Sequence, residues 1–165
     1  MKDEQLRILK TMQEATNRMD FNTFSQAVNL EPNQTIAEMQ ILAQEGFLQR
    51  NGNAFQLAEK GKKALKITQP YPDKSFQFYV GIEKPLGIYA QSLEEFYRQI
   101  KQVCSDSLDF HLYRGDFEIW IKDVLGDNEL AEEVGNLKEL KLTGEELRRD
   151  LIKTIDSSYG VGDLL

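Results

Sequence analysis

Apolar side chains return every three or four positions through residues 4–19, placing Leu6, Leu9, Met12, Ala15 and Met19 on one stripe. That spacing predicts an amphipathic helix. Asp20 and Asn22 punctuate it and offer caps to a second helix over 23–29, with Phe24, Ala27 and Val28 on one face. Glu31-Pro32-Asn33 reads as a turn, with Asn33 placed to cap a third helix over 34–45 that buries Ile36, Met39 and Leu42 and stops at Gly46. The period then drops to two. Residues 47–50 and 54–57 flank Asn51-Gly52-Asn53, and Asn-Gly between two short alternating runs is the strongest local signal for a hairpin. A fourth helix over 58–65 closes this half.

Two prolines in Gln69-Pro70-Tyr71-Pro72 discourage a helix and mark a stiff linker over 68–74. Phe76, Phe78 and Val80 alternate with Gln77 and Tyr79 as a strand. Pro85-Leu86-Gly87 turns the chain into a short extended piece over 88–90. Helical spacing then returns. Ser92-Leu93-Glu94-Glu95 is a capping box opening a stripe of Leu93, Phe96, Tyr97, Ile100 and Val103. A short helix carries Leu108, His111 and Leu112, and Asp116 is placed to cap the next, with Phe117, Trp120, Ile121, Val124 and Leu125 inside. Asp127 caps a segment with Leu130, Ala131 and Val134. Thr143-Gly144-Glu145-Glu146 is a second capping box, before Leu147, Leu151, Ile152 and Ile155. Two glycines in 157–165 predict a frayed, disordered tail.

Three helices, a hairpin and a closing helix are the order of a winged helix-turn-helix. Two segments resemble small prokaryotic regulators of that fold. Leu42-Ala43-Gln44-Glu45-Gly46-Phe47-Leu48 is similar to their passage from recognition helix into wing. Phe55-Gln56-Leu57-Ala58-Glu59-Lys60-Gly61 is similar to their Leu-Thr-x-Lys-Gly wing exit, with Ala58 in the place of Thr. A second resemblance covers residues 75–155. Ser92-Leu93-Glu94-Glu95-Phe96, Phe110-His111, Arg114-Gly115-Asp116-Phe117-Glu118-Ile119-Trp120 and Leu125-Gly126-Asp127-Asn128-Glu129-Leu130-Ala131 resemble a largely archaeal domain family of unknown function with an Arg-x-Asp-Phe-x-x-Trp signature. Gly115 stands where that pattern has Asn, and the family carries no activity to transfer. The expected architecture is mainly α with small β elements (α+β). It comprises a winged helix-turn-helix over 1–67, a linker over 68–74 and an acidic, mostly helical domain over 75–156 with one or two short strands.

Charge changes the functional picture. Through residue 70 the chain carries nine Lys/Arg against eight Asp/Glu, and beyond it eleven against nineteen, net +1 and −8. The acidic half repels a phosphate backbone, so any nucleic-acid contact falls to the first half. The winged-helix resemblance implies a DNA-binding transcriptional regulator with its third helix in the major groove. That reading assigns DNA contacts to Gln34, Thr35 and Glu38 on the third helix, Arg50 and Asn51 on the wing, and Lys60, Lys62 and Lys63 on the fourth helix. Against it, no Lys or Arg lies between Arg18 and Arg50, while Glu38 and Glu45 share the reading face with Ile41. The alternative is a protein-interaction adaptor that binds no nucleic acid and docks a protein partner through the third helix or the C-terminal domain. Either reading expects a homodimer.

His111, Arg114 and Asp116, with Trp120 nearby, are the one cluster resembling a site. His111 and Asp116 offer an acid–base pair and Arg114 an anion contact. The structural account has Asp116 capping a helix and His111 and Trp120 within helix stripes, leaving a small-ligand sensor as the functional alternative. Cys104 is the single cysteine, expected to be a buried or idle thiol in a reducing compartment. Arg114-Gly115-Asp116 invites an adhesion reading that this cysteine-poor chain does not support. There is no phosphate loop and no metal-ligand spacing, no apolar run approaches the roughly 20 residues of a membrane span, and the first residues lack the apolar core of a signal peptide. The expectation is a cytoplasmic, non-catalytic protein with no cofactor and no bound metal.

Overall fold

The computed structural model describes residues 1–15 and 19–164 and divides into two compact units, Met1–Lys66 and Ile67–Leu165. The architecture is mainly helical, with two small antiparallel two-stranded sheets. Arg18, assigned from sequence to the first helix, lies outside the described residues.

In the first unit the order is α1 (Asp3–Glu14), α2 (Phe21–Ala27), α3 (Pro32–Gln44), β1 (Leu48–Asn51), β2 (Ala54–Leu57) and α4 (Glu59–Thr68), whose last two residues belong to the second unit. Helix α1 turns Ile8 and Leu9 fully inward, with Gln5 beside them. Asp20 caps α2 as its sequence position predicts, accepting from the Thr23 amide at 3.0 Å and the Thr23 hydroxyl at 2.6 Å. Helix α3 begins two residues earlier than expected. Pro32 takes the first helical position after Glu31, where a missing N–H costs nothing and φ is already set. The helix is also rotated from the predicted face. Met39 and Leu42 are buried, but Thr35 sits inside in place of Ile36, which is 41% exposed. Thr35 tolerates burial because its hydroxyl donates to the Glu31 carbonyl at 3.0 Å, leaving no polar atom unpaired.

The junction between α3 and the hairpin is the tightest part of this unit. Gly46, at φ +82°, ends α3, and the Phe47 amide reaches back to the Leu42 carbonyl at 2.8 Å. The Phe47 carbonyl then accepts from the Ala58 amide at 3.0 Å. A Cβ on Gly61 would stand 2.4 Å from that carbonyl oxygen and 2.9 Å from a Leu57 methyl. Lys60 closes the joint, donating to the Glu45 carbonyl at 2.9 Å with its ammonium 4.4 Å from the Phe47 ring centre. Strands β1 and β2 pair from Leu48↔Leu57 to Asn51↔Ala54, so Gly52-Asn53 is the loop.

In the second unit, residues assigned to a linker are bonded into the fold. Pro72–Lys74 forms a 3-10 turn, the Tyr71 amide donates to Gln91 at 2.6 Å, and the Lys74 carbonyl accepts from the Trp120 indole at 2.8 Å. Next come β3 (Phe76–Tyr79) and β4 (Pro85–Ala90), then α5 (Leu93–Gln102), α6 (Ser105–Arg114), α7 (Asp116–Asp123), α8 (Asn128–Asn136), α9 (Gly144–Tyr159) and α10 (Val161–Leu164). Ser92 and Asp127 cap α5 and α8 as read, accepting from Glu95 at 3.1 Å and Leu130 at 3.0 Å. Thr143 makes no side-chain cap. Asp109, from α6, takes the Gly144 amide at 2.9 Å instead.

The core is aromatic. Phe76 lies 4.8 Å from Phe78, 5.4 Å from Phe96, 5.3 Å from Phe117 and 5.8 Å from Trp120, measured between ring centres. Edge-to-face pairs dominate, as the ring quadrupoles favour.

The expected disordered tail is packed through its first six residues. Helix α9 runs to a buried Tyr159 whose hydroxyl donates to Asp127, and Val161 is fully buried. Asp156 accepts from the Tyr97 hydroxyl at 2.7 Å and the Gly162 amide at 2.8 Å. Gly160, at φ +63°, is a left-handed helix cap rather than a point of fraying.

Gly61→Ala tests the junction. The added methyl meets backbone, which cannot step aside as a flexible side chain would. The substitution is expected to cost about 1–3 kcal/mol as an overpacking change, read as a lower thermal midpoint, whereas Gly52→Ala at the open hairpin tip should cost less.

Candidate functional site

Two places gather the residues singled out above: the start of α7 against α6, and the outer face of α3.

At the first, register sets the chemistry. Strands β3 and β4 pair regularly from Phe76↔Ala90 to Phe78↔Ile88, then slip so that Tyr79 opposes Pro85. At the slip the Tyr79 amide donates to Nε2 of His111, on α6, at 2.8 Å. An accepting Nε2 places the ring proton on Nδ1, which lies 2.8 Å from Oδ2 of Asp116. His111 is 3% exposed and packed edge-on against Phe76 at 4.8 Å. Both of its nitrogens are committed to holding β3, α6 and α7 together, so neither is left to take a proton from a substrate. Asp116 is not the helix cap read from sequence. It is the first residue of α7, Gly115 caps in the left-handed region, and the carboxylate turns to His111 and to Nε of Arg114 at 3.3 Å.

Arg114 is half-exposed, its guanidinium 4.9 Å from the Phe110 ring centre. It borders a cleft of about 320 Å³ between the β3–β4 turn and α6, walled by Phe76, Tyr79, Phe110 and the exposed Ile82. Trp120 faces the core with its indole N–H bonded, so it is removed from the cluster. Cys104 is exposed, ahead of α6, and not buried.

At the second place, burial separates the predicted contacts. Gln34 is exposed. Thr35 is fully buried and bonded to its own helix, which corrects its assignment as a contact. Glu38 is also corrected. Its carboxylate accepts from Lys2 Nζ and Gln5 Nε2, each at 3.0 Å, and its side chain is only 12% exposed. The Glu38 carboxylate correspondingly raises the Lys2 pKa, chiefly through their hydrogen bond. Ile41, expected outside, is half-buried. The exposed arc is therefore Asn33, Gln34, Ile36, Ala37, Gln40 and Gln44, uncharged between Glu31 and Glu45 at the helix ends. Asn33, Ile36 and Gln40 were missed as surface positions because the sequence face was drawn through Ile36. The signal that could have moved it is Thr35, four residues after Glu31, where a hydroxyl can bond back along the helix.

On the hairpin, Arg50 and Asn51 are exposed, and Nε of Arg50 holds the Gly52 carbonyl at 3.1 Å. On α4, Lys60 is committed to the junction, Lys62 pairs with Glu59 at 2.6 Å, and Lys63 is engaged as well.

His111 is the single histidine of the chain, so its titration can be isolated. Burial, the larger effect, pulls its pKa below the ordinary 6.5, against the raising influence of Asp116. With the folded value depressed, the unfolded chain takes up the proton first as pH falls below about 6.5. Stability is therefore highest above that pH and declines through the window beneath it. The thermal midpoint should drop between pH 7 and 5.5. In His111→Gln this histidine-linked slope should vanish, on a stability already reduced by about 1–3 kcal/mol per buried group left unpartnered. An unchanged slope would show that the ring does not titrate as argued.

No curated protein and no solved structure matches this chain. A family model does match, over residues 73–163, and so takes in the His111 bridge, the cleft and every helix from α5 to α9. The chain therefore belongs to the family of unknown function DUF5752.

Proposed function

We propose that the first unit is a winged helix-turn-helix that binds duplex DNA, with α3 entering the major groove and the β1–β2 hairpin as its wing. The second unit, in this reading, serves a transcriptional regulator by dimerising, sensing a ligand or docking a partner, and no chemistry is performed on a substrate. The observation that carries the proposal is the inward bonding of Glu38. A carboxylate in the middle of a groove-reading face would oppose the phosphates, and here Lys2 and Gln5 hold it against α1 instead.

The same geometry limits affinity. Lys62 is paired with Glu59, while Arg50 and Lys60 are exposed cations that each hold one neutral backbone carbonyl. A contact of roughly two to four phosphates per copy is the expectation, below the 6–10 of a strong binder. The adaptor alternative keeps the acidic second unit as its motive, while its motive in α3 weakens, since Ile41 is half-buried and Glu38 faces inward.

Fluorescence anisotropy of the full chain on a labelled duplex tests the reading. Binding at about 50 mM salt should weaken about 10- to 100-fold by 200 mM, as that phosphate count requires, and Arg50→Ala should flatten the slope. No binding at 50 mM, or binding indifferent to salt, would return the adaptor reading.

A further inference from the structure

The chemistry of α3's outer face goes further than binding and names the base pairs it fits; this step rests on the DNA-binding reading above. Guanine offers two acceptors in the major groove and is read by Arg or Lys, and cytosine offers an amine read by Asp or Glu. Helix α3 has no Arg or Lys, and none occurs from residue 19 to 49. Its one carboxylate between the ends, Glu38, is held by Lys2 and Gln5. What the exposed arc does present is four amides, Asn33, Gln34, Gln40 and Gln44, with Ile36 and Ala37 among them. An amide pairs two-fold with adenine N6 and N7, and an aliphatic group meets the thymine methyl.

We infer that this face reads A·T base pairs in the major groove, with Gln34 and Gln40 as the adenine-reading side chains and Ala37, which lies between them around the helix, against a thymine methyl. Gln34 lies in the first turn of α3, the part of a recognition helix that approaches base edges.

The test is anisotropy of the full chain on three duplexes of equal length, each titrated over the same salt series from about 50 to 200 mM. One duplex is A·T-only with mixed sequence, one is G·C-only, and the third is the A·T duplex carrying 7-deazaadenine, which keeps Watson–Crick pairing but removes N7. The expected result is at least about 10-fold tighter binding to the A·T duplex, within the range of one or two good amide–adenine pairs. The 7-deaza duplex, and the wild-type duplex with Gln34→Ala/Gln40→Ala, should both fall to the G·C level with the salt slope unchanged. These two side chains are exposed, and an unaltered thermal midpoint of the variant confirms that it is folded.

Equal, salt-dependent affinity for all three duplexes overturns the base preference and leaves the DNA-binding reading standing. An A·T preference that survives both 7-deazaadenine and the double variant assigns the preference to the minor groove and overturns the role of α3. Absence of binding to every duplex at about 50 mM salt removes both readings together.

Discussion

One backbone amide decides how the second unit is assembled. The Tyr79 N–H sits where β3 and β4 slip out of register, and a buried amide without an acceptor would cost about 1–3 kcal/mol. His111 supplies the acceptor, and in doing so fixes its own tautomer, which hands the Nδ1 proton to Asp116. A single imidazole thus ties a strand to two helices from inside an aromatic cluster. Burial in that cluster lowers the affinity of the ring for a second proton, which keeps Nε2 accepting. The residues most suggestive of acid–base chemistry are there because the sheet is irregular. The cleft beside them, bordered by Arg114, is lined on one side by the β3–β4 turn and on the other by α6.

The junction of the first unit solves a comparable problem with one carbonyl. Phe47 must leave α3 and enter β1 while its oxygen faces α4. The Ala58 amide satisfies that oxygen, and Gly61 lets the helix backbone come close enough for it to do so. Lys60 then caps the end of α3 from the opposite side. Lys60 thus closes a helix end, and Gly61 removes a Cβ that would strike the chain.

Much of this was legible because local signals agree with the tertiary fold. The helices of the second unit, the Asn51-Gly52 hairpin, and the Asp20, Ser92 and Asp127 caps are set within a few residues of chain, and they stand close to where local signals place them. Most of the misses share one cause, a side-chain partner that helical or strand periodicity does not report. Asp116 reads as a cap until His111 claims it, and Thr143 reads as a cap until Asp109, 35 residues from Gly144, takes the amide. Residues 157–162 read as a tail because Asp156 and Asp127, which bind them down, cannot be matched to Gly162 and Tyr159 from spacing alone. Gly115 in place of the expected Asn is conservative for the same local reason that made it readable. The position is left-handed at φ +81°, a conformation Asn and Gly both accept.

The candidate reading face shows how far such a partner can carry. Drawn from apolar spacing alone, α3 faces outward with Glu38 and Ile41, an acidic and sticky surface ill suited to phosphate. The actual face differs by one helical position, because Thr35 can satisfy its own hydroxyl and go inside while Ile36 goes out. That rotation would leave Glu38 at the boundary, where a bare carboxylate would still colour the field of the helix. Residues 2 and 5, at the far end of the unit's sequence, remove it by charge and hydrogen bond. The polarity of the outer face of α3 is therefore set in part from Lys2 and Gln5, and its amide character follows from packing as much as from composition.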